Sequence, residues 1–175
     1  MKNSKSILTI FLLIFMALGT AVTLNSCKED DPCDDVECLN GGVCNDGNCN
    51  CATGFEGTTC ATAMADKFVG TWKYNETCGG FTVVDFTVTI AKNGPNKIQM
   101  SGFGGYECNG SPIIVNATVS GREITIDPNQ TFCSGTLTIN SGTGSINESL
   151  TAINVSYTST VPGSPSITCS GIYSK

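Results

Sequence analysis

The chain has 175 residues and a formal charge of −6, with 15 acidic residues against 9 lysines and arginines, no histidine and 11 cysteines. Scattered bases in an acidic chain exclude the electrostatic footprint of a nucleic-acid binder. Without histidine the usual general base and the commonest metal ligand are gone, which argues against an enzyme, and so many cysteines point to an oxidising, extracytoplasmic compartment.

Lys2 and Lys5 precede an apolar run at 7–18, a length that suits a secretory signal and is short for a membrane-spanning helix. The following Leu24-Asn25-Ser26-Cys27 resembles a lipobox. That resemblance implies that residues 1–26 are a lipoprotein signal peptide and that Cys27 carries the lipid, making the membrane a partner through an anchor. Cysteine parity points the same way: six cysteines at 33–60 and four beyond leave Cys27 over, and an unpaired thiol is poorly tolerated outside the cell. Residues 27–32 form an acidic linker, and Lys28-Glu29-Asp30-Asp31 resembles the signal that sends Bacteroidetes-type lipoproteins to the outer face of the outer membrane. The expected location is therefore the outer membrane, lipid-anchored and exposed at the cell surface, with periplasmic retention as the alternative.

Cys33, Cys38, Cys44, Cys49, Cys51 and Cys60 follow the spacing C-x4-C-x5-C-x4-C-x-C-x8-C. So short a segment cannot offset its chain entropy with a core and needs cross-links instead. A zinc site fits poorly, since there is no histidine and no paired C-x2-C knuckle. Together with Gly54-Phe55-Glu56-Gly57, residues 33–60 closely resemble an epidermal-growth-factor-like (EGF-like) domain, which implies the pairs Cys33 to Cys44, Cys38 to Cys49 and Cys51 to Cys60. Calcium-binding relatives carry D-x-[DN]-[EQ] before the first cysteine, where this chain has Asp30-Asp31-Pro32. No metal or cofactor is expected.

Residues 61–175 change character, to short runs of Val, Ile, Thr, Phe and Tyr separated by Gly, Asn, Asp and Pro, the pattern of an all-β domain. Eight strands are predicted, at 68–76, 80–91, 96–103, 112–119, 122–127, 131–140, 150–158 and 166–174. Val84, Phe86, Val88 and Ile90 alternate with Asp85, Thr87 and Thr89, so one face should point inward. Hairpin-linked strands can close into an up-and-down barrel or divide into a sandwich. Phe68-Val69-Gly70-Thr71-Trp72 resembles the G-x-W motif of lipocalins and of lipocalin-like domains in bacterial lipoproteins, and favours the barrel. The resemblance implies that Trp72 plugs the closed end. The basic residue that lipocalins set over it is matched here at best by Lys175.

In an up-and-down barrel Cys78, Cys108, Cys133 and Cys169 all fall at links on one rim, predicting two disulfides there. Adjacent links would pair Cys78 with Cys108 and Cys133 with Cys169, while closure also allows Cys78 with Cys169. The carboxylates Asp66, Glu76, Asp85, Glu107, Glu123, Asp127 and Glu148 are spread singly and read as solvated edge or turn residues, so a hydrolase built on two of them is a remote alternative. The expected function is a noncatalytic binding protein whose barrel takes a small apolar ligand among Phe81, Val84, Phe86, Val88, Ile98, Met100, Ile113 and Val115. The alternative is a structural or adhesive protein that contacts proteins or glycans through its loops and its EGF-like module.

Overall fold

The computed structural model describes residues 31–175; the signal segment, Cys27 and most of the acidic linker lie outside the described residues. Residues 32–175 form one compact unit. Its first part is two small ribbons. Strands β1 (Val43–Asn45) and β2 (Asn48–Asn50) pair antiparallel around Asp46-Gly47, whose φ angles of 49° and 76° are those of a tight two-residue hairpin turn. Disulfides Cys33–Cys44, Cys38–Cys49 and Cys51–Cys60 staple this part, with Cα separations of 5.9, 5.6 and 5.2 Å.

Strand β3 (Phe55–Glu56) pairs with β4 (Thr62–Ala63), so the chain beyond Cys60 folds back onto the cysteine-rich segment. The Met64 N–H donates to the Gly54 carbonyl at 2.8 Å and the Ala65 N–H to the Pro95 carbonyl at 2.9 Å. Lys67 Nζ lies 2.6 Å from Glu56 Oε1. A Cβ on Gly54 would meet Pro95 at 3.0 Å, so the bare glycine lets the module approach the turn at 93–96 closely.

Strands β5 (Gly70–Cys78), β6 (Phe81–Lys92) and β7 (Lys97–Ser101) follow, then a small hairpin of β8 (Glu107–Cys108) and β9 (Ser111–Pro112). Next come β10 (Ile114–Ser120), β11 (Glu123–Ile126), β12 (Gln130–Phe132), β13 (Leu137–Ile146), β14 (Ala152–Thr160) and β15 (Ile167–Ser174). The order β11-β10-β7-β6-β5-β15-β14-β13 closes through pairing of β11 with β13, and β12 adds beside the first residues of β13. The result is a closed eight-stranded antiparallel barrel in which sequence neighbours are spatial neighbours. Closure removes the exposed edges that a sandwich would keep.

Two elements differ from the sequence expectation. The strand predicted at 131–140 is a hairpin, bent at a 3-10 turn, Cys133–Gly135, where Cys133 and Ser134 have φ of 53° and 57°. Its second arm, β13, runs on through Ser141-Gly142-Thr143-Gly144-Ser145, which read as a loop. A Cβ on Gly142 would lie 2.6 Å from Ile126 Cδ1 and from Tyr157 Cβ, so glycine is what allows the barrel to close there.

The second difference is a bulge in β6. Tyr74 opposes Phe86, but Glu76 opposes Val83, and Asp85 takes φ 60° with its N–H donating to Asn75 Oδ1 at 3.1 Å. The extra residue breaks the period of two. Only Val88 and Ile90 of the expected inward series are buried, while Phe81, Val84 and Phe86 are 79%, 54% and 45% exposed.

Barrel interior positions are filled by Trp72, Tyr74, Val88, Ile90, Ile98, Met100, Phe103, Val115, Ile124, Ile126, Ile139, Ile153, Tyr157 and Tyr173. Outward positions of β5, β13 and β14 carry Thr71, Lys73, Asn75, Thr77, Ser141, Thr143, Asn154 and Ser156. This is the reverse of a lipid-facing barrel, whose outer band is apolar. Among the described residues no helix is long and apolar enough to cross a membrane.

Candidate functional site

The two ends of the barrel differ in chemistry. At the end that meets the cysteine-rich module, the Trp72 Nε1–H donates to the Phe68 carbonyl at 2.8 Å, and the Lys175 ammonium sits 4.3 Å from the Trp72 ring centroid. Lys175 also donates to the Val69 carbonyl at 3.1 Å. This end is an apolar seal.

The opposite end, the mouth, gathers the polar exceptions. Along β5 the inward positions run Trp72, Tyr74, Glu76 and Cys78, so the period of a strand aims a glutamate into the barrel. Glu76 is 3% exposed and its Oε1 accepts the Tyr157 hydroxyl at 2.8 Å. All four tyrosines of the chain, Tyr74, Tyr106, Tyr157 and Tyr173, surround this carboxyl or its neighbours. Tyr74 and Tyr173 have ring centroids 5.0 Å apart, Phe103 lies 4.6 Å from Tyr157, and the Tyr106 hydroxyl is 3.3 Å from Ser159 Oγ. The Tyr173 hydroxyl is buried with no hydrogen-bond partner among the described residues.

Burial raises the Glu76 carboxyl above its ordinary value, partly opposed by the Tyr157 hydrogen bond. Burial, reinforced by the Glu76 charge, also pushes the Tyr74, Tyr157 and Tyr173 hydroxyls up. Desolvation disfavours the charged form of each group. The cluster is therefore a set of hydroxyls and one carboxyl that share protons reluctantly with water.

Ser101-Gly102-Phe103-Gly104-Gly105-Tyr106 closes the mouth, placing Phe103 fully inside. Gly102, Gly104 and Gly105 have φ of 82°, 63° and 67°, a left-handed path that side-chain-bearing residues resist. The Tyr74 hydroxyl donates to the Gly102 carbonyl at 3.4 Å. A Cβ on Gly104 would come within 2.5 Å of the Tyr157 hydroxyl. Outside this loop, Phe86, Thr87, Gly105, Tyr106, Glu107 and Pro112 border a groove of about 220 Å³.

Two disulfides stand at the mouth. Cys78–Cys169 links directly opposed residues of β5 and β15, and Cys108–Cys133 ties the β8–β9 hairpin to the turn after β12. Of the pairings left open by the sequence, the one between adjacent links is not adopted. The reason is closure, which makes β5 and β15 neighbours and leaves Cys78 and Cys169 with a Cα separation of 4.1 Å. Glu76, Cys78 and Cys169 place an oxygen and two sulfurs within 4.8 Å, but both sulfurs belong to one disulfide and only the carboxylate remains as a ligand.

The other sequence-selected residues scatter. Val88, Ile98, Met100, Ile113 and Val115 are packed core, while Phe81, Val84 and Phe86 stand at the rim. Asp66, Asp127 and Glu148 are paired with Lys92, Lys97 and Arg122 at 2.6, 3.4 and 3.3 Å. Asp85, Glu107 and Glu123 are exposed. Glu76 is the correction: a residue read as a solvated edge is the one buried carboxyl among the described residues. The alternation of β5 from Trp72 onward was the signal that could have found it.

Solved structures share the barrel. A candidate outer membrane protein from Bacteroides fragilis aligns at 18% identity and a TM-score of 0.44, over 64% of this chain and 52% of its own length. The chain thus spans about half of that protein. A redesigned β-barrel aligns at 18% identity and a TM-score of 0.46, over 66% of this chain and 96% of its own. A de novo designed fluorescence-activating β-barrel aligns at 22% identity and a TM-score of 0.44, over 63% of this chain and 95% of its own. No protein-family model matches the chain, and no curated protein matches it.

Proposed function

We propose that this chain is a lipid-anchored, noncatalytic binding protein of the bacterial cell surface, whose recognition end is the barrel mouth. One observation carries this reading: Glu76 is buried and accepts the Tyr157 hydroxyl, Tyr157 and Tyr74 lie against the glycine-rich loop, and that loop adjoins the exposed Phe86. Buried polar groups without full pairing cost stability, and such exceptions to foldability concentrate where function requires them. The seal at the other end shows none of them. The filled body of the barrel, with Ile98, Met100 and Val115 fully buried, favours recognition at the mouth over an apolar cargo deep inside.

A noncatalytic role is the simpler reading of a cluster whose buried carboxyl accepts the Tyr157 hydroxyl and has no second buried carboxyl beside it among the described residues. The anchor and the location rest on the lipobox-like residues ending at Cys27 and on the acidic run after it. The cysteine-rich module stands at the barrel end away from the mouth, so it leaves the mouth uncovered.

The test expresses the full chain in a lipoprotein-exporting bacterium with a photo-crosslinker at Phe81 on the rim or at Asn93 on the far turn. Palmitate label lost in Cys27→Ser, surface protease sensitivity, and crosslinks from position 81 that are competed by unlabelled protein are the expected results. Equal crosslinking from position 93, or retention of label in Cys27→Ser, overturns the reading.

A further inference from the structure

We propose that the space under the mouth loop is a binding site for a small aromatic amine, whose ring takes the place of the Phe103 ring and whose ammonium group is held by Glu76 amid Tyr74, Tyr157 and Tyr173. The inference rests on the mouth being the recognition end and names what is recognised there.

Three observations converge on a cation. Glu76 is buried, and none of the ion pairs formed by the described residues includes it. A buried carboxyl without a countercharge gains more from an arriving cation than a solvated one does, because the attraction acts in a low-dielectric site. The Tyr173 hydroxyl, fully buried and without a partner among the described residues, offers an oxygen lone pair to an N–H donor. Aromatic faces complete the enclosure, since tyrosine rings attract cations through their quadrupoles.

Two further observations select an aromatic body. Phe103 fills the space next to the cluster, 4.6 Å from Tyr157 and 6.4 Å from Tyr173 by ring centroids. A ligand ring of the same size would inherit those contacts. Phe103 is also carried by a short turn with glycine on both sides, Gly102 and Gly104. Backbone bonds from the Gly105 N–H to the Gly102 carbonyl and from the Tyr106 N–H to the Phe103 carbonyl, both 3.2 Å, lie within that turn, while its two ends are held by Ile113, whose carbonyl accepts the Gly102 N–H and whose N–H donates to the Tyr106 carbonyl, both 3.1 Å, so residues 103–105 can hinge between anchored ends.

The test uses the disulfide-intact chain and three probes: benzylamine, its neutral counterpart benzyl alcohol, and methylammonium, which lacks a ring. Binding is followed by calorimetry and by the tyrosine ring resonances. Benzylamine should bind at least ten-fold more tightly than either other probe. Phe103→Ala, which spares the ligand the work of displacing the ring, should raise benzylamine affinity at least ten-fold. Glu76→Gln in that background should erase the preference for the amine over benzyl alcohol. Should Phe103→Ala not fold, as judged by the emission of Trp72, Phe103→Leu and the native chain carry the same comparison.

Equal affinity for benzyl alcohol and benzylamine would reduce the site to a plain apolar cavity and overturn the proposal. Absence of saturable benzylamine binding by a folded Phe103 variant, or an amine preference that survives Glu76→Gln, would overturn it too. Crosslinking at the rim and labelling of Cys27 are read separately, so the amine site can fail while surface recognition at the mouth stands.

Discussion

The ammonium of Lys175, directly after β15, lies 4.3 Å above the centroid of the Trp72 ring on β5. The contact locks the two strands that meet when the barrel closes, because β15 pairs with β5, and it covers the one tryptophan of the chain. Lys175→Met should cost about 0.5–1 kcal/mol, the range of an exposed cation–π contact, whereas Trp72→Ala should cost about 3–5 kcal/mol through loss of a buried ring. Urea titration followed by circular dichroism measures both. A Trp72 substitution no more costly than that of Lys175 would contradict a sealed end.

Stability should depend on pH through Glu76. Its folded pKa is raised from the ordinary 4.5, so between that value and the folded pKa the folded state retains a proton that the unfolded chain has released. The full contribution of the protonated group is present below 4.5 and is lost as pH rises through the folded pKa. Glu76→Gln keeps an acceptor for Tyr157 without a titrating proton. Its stability should be flat across that window and exceed that of the native chain above it, as read from melting temperatures at stepped pH. A native profile parallel to that of the variant would refute the burial argument.

The two mouth disulfides should differ in worth because they close loops of different length. Cys78–Cys169 spans 91 residues and Cys108–Cys133 spans 25. Chain-entropy arguments give about 4.5 kcal/mol for the first and about 3.5 kcal/mol for the second. Double substitutions to alanine, compared by denaturant unfolding, should reproduce that order.

Glycine at the seam between β5 and β15 should resist replacement. A Cβ on Gly171 would lie 2.4 Å from the Asn75 carbonyl oxygen and 2.5 Å from Glu76 Cβ, atoms of backbone and strand that cannot rotate away. Gly171→Ala should therefore cost about 1–3 kcal/mol by overpacking. Gly110→Ala, where a Cβ meets nothing within 4 Å but φ is 76°, should cost only the backbone strain of about 1 kcal/mol. Thermal melts of the two variants separate steric crowding from conformational strain.

What the sequence made legible was whatever depends on period or count. The alternation through β10 and the turn residues Asn93-Gly94-Pro95 lead to antiparallel strands, and the short links lead to neighbours in order. What escaped depends on contacts between distant segments. Gly142 and Gly144 look like loop residues because glycine is poor in strands, yet the neighbours of β13 require them bare: a Cβ would lie 2.6 Å from Ile126 Cδ1 of β11 at Gly142 and 2.8 Å from the Asn154 carbonyl oxygen of β14 at Gly144. The bulge at Asp85 has no local signature strong enough to override the apolar run around it. Glu76 was misread because its charge outweighed its position, although Trp72 and Tyr74 before it mark the inward face.

The ribbon formed by β3 and β4 joins the cysteine-rich module to the barrel at the end away from the mouth. A pull exerted between mouth and module is thus directed along the barrel strands. Such tension strains the hydrogen bonds of β5 with β6 and β15 in shear, all rows together, instead of peeling them one at a time. Shear is the geometry in which a sheet yields last, so the barrel withstands tension between its two ends better than a force that peels one strand from the next.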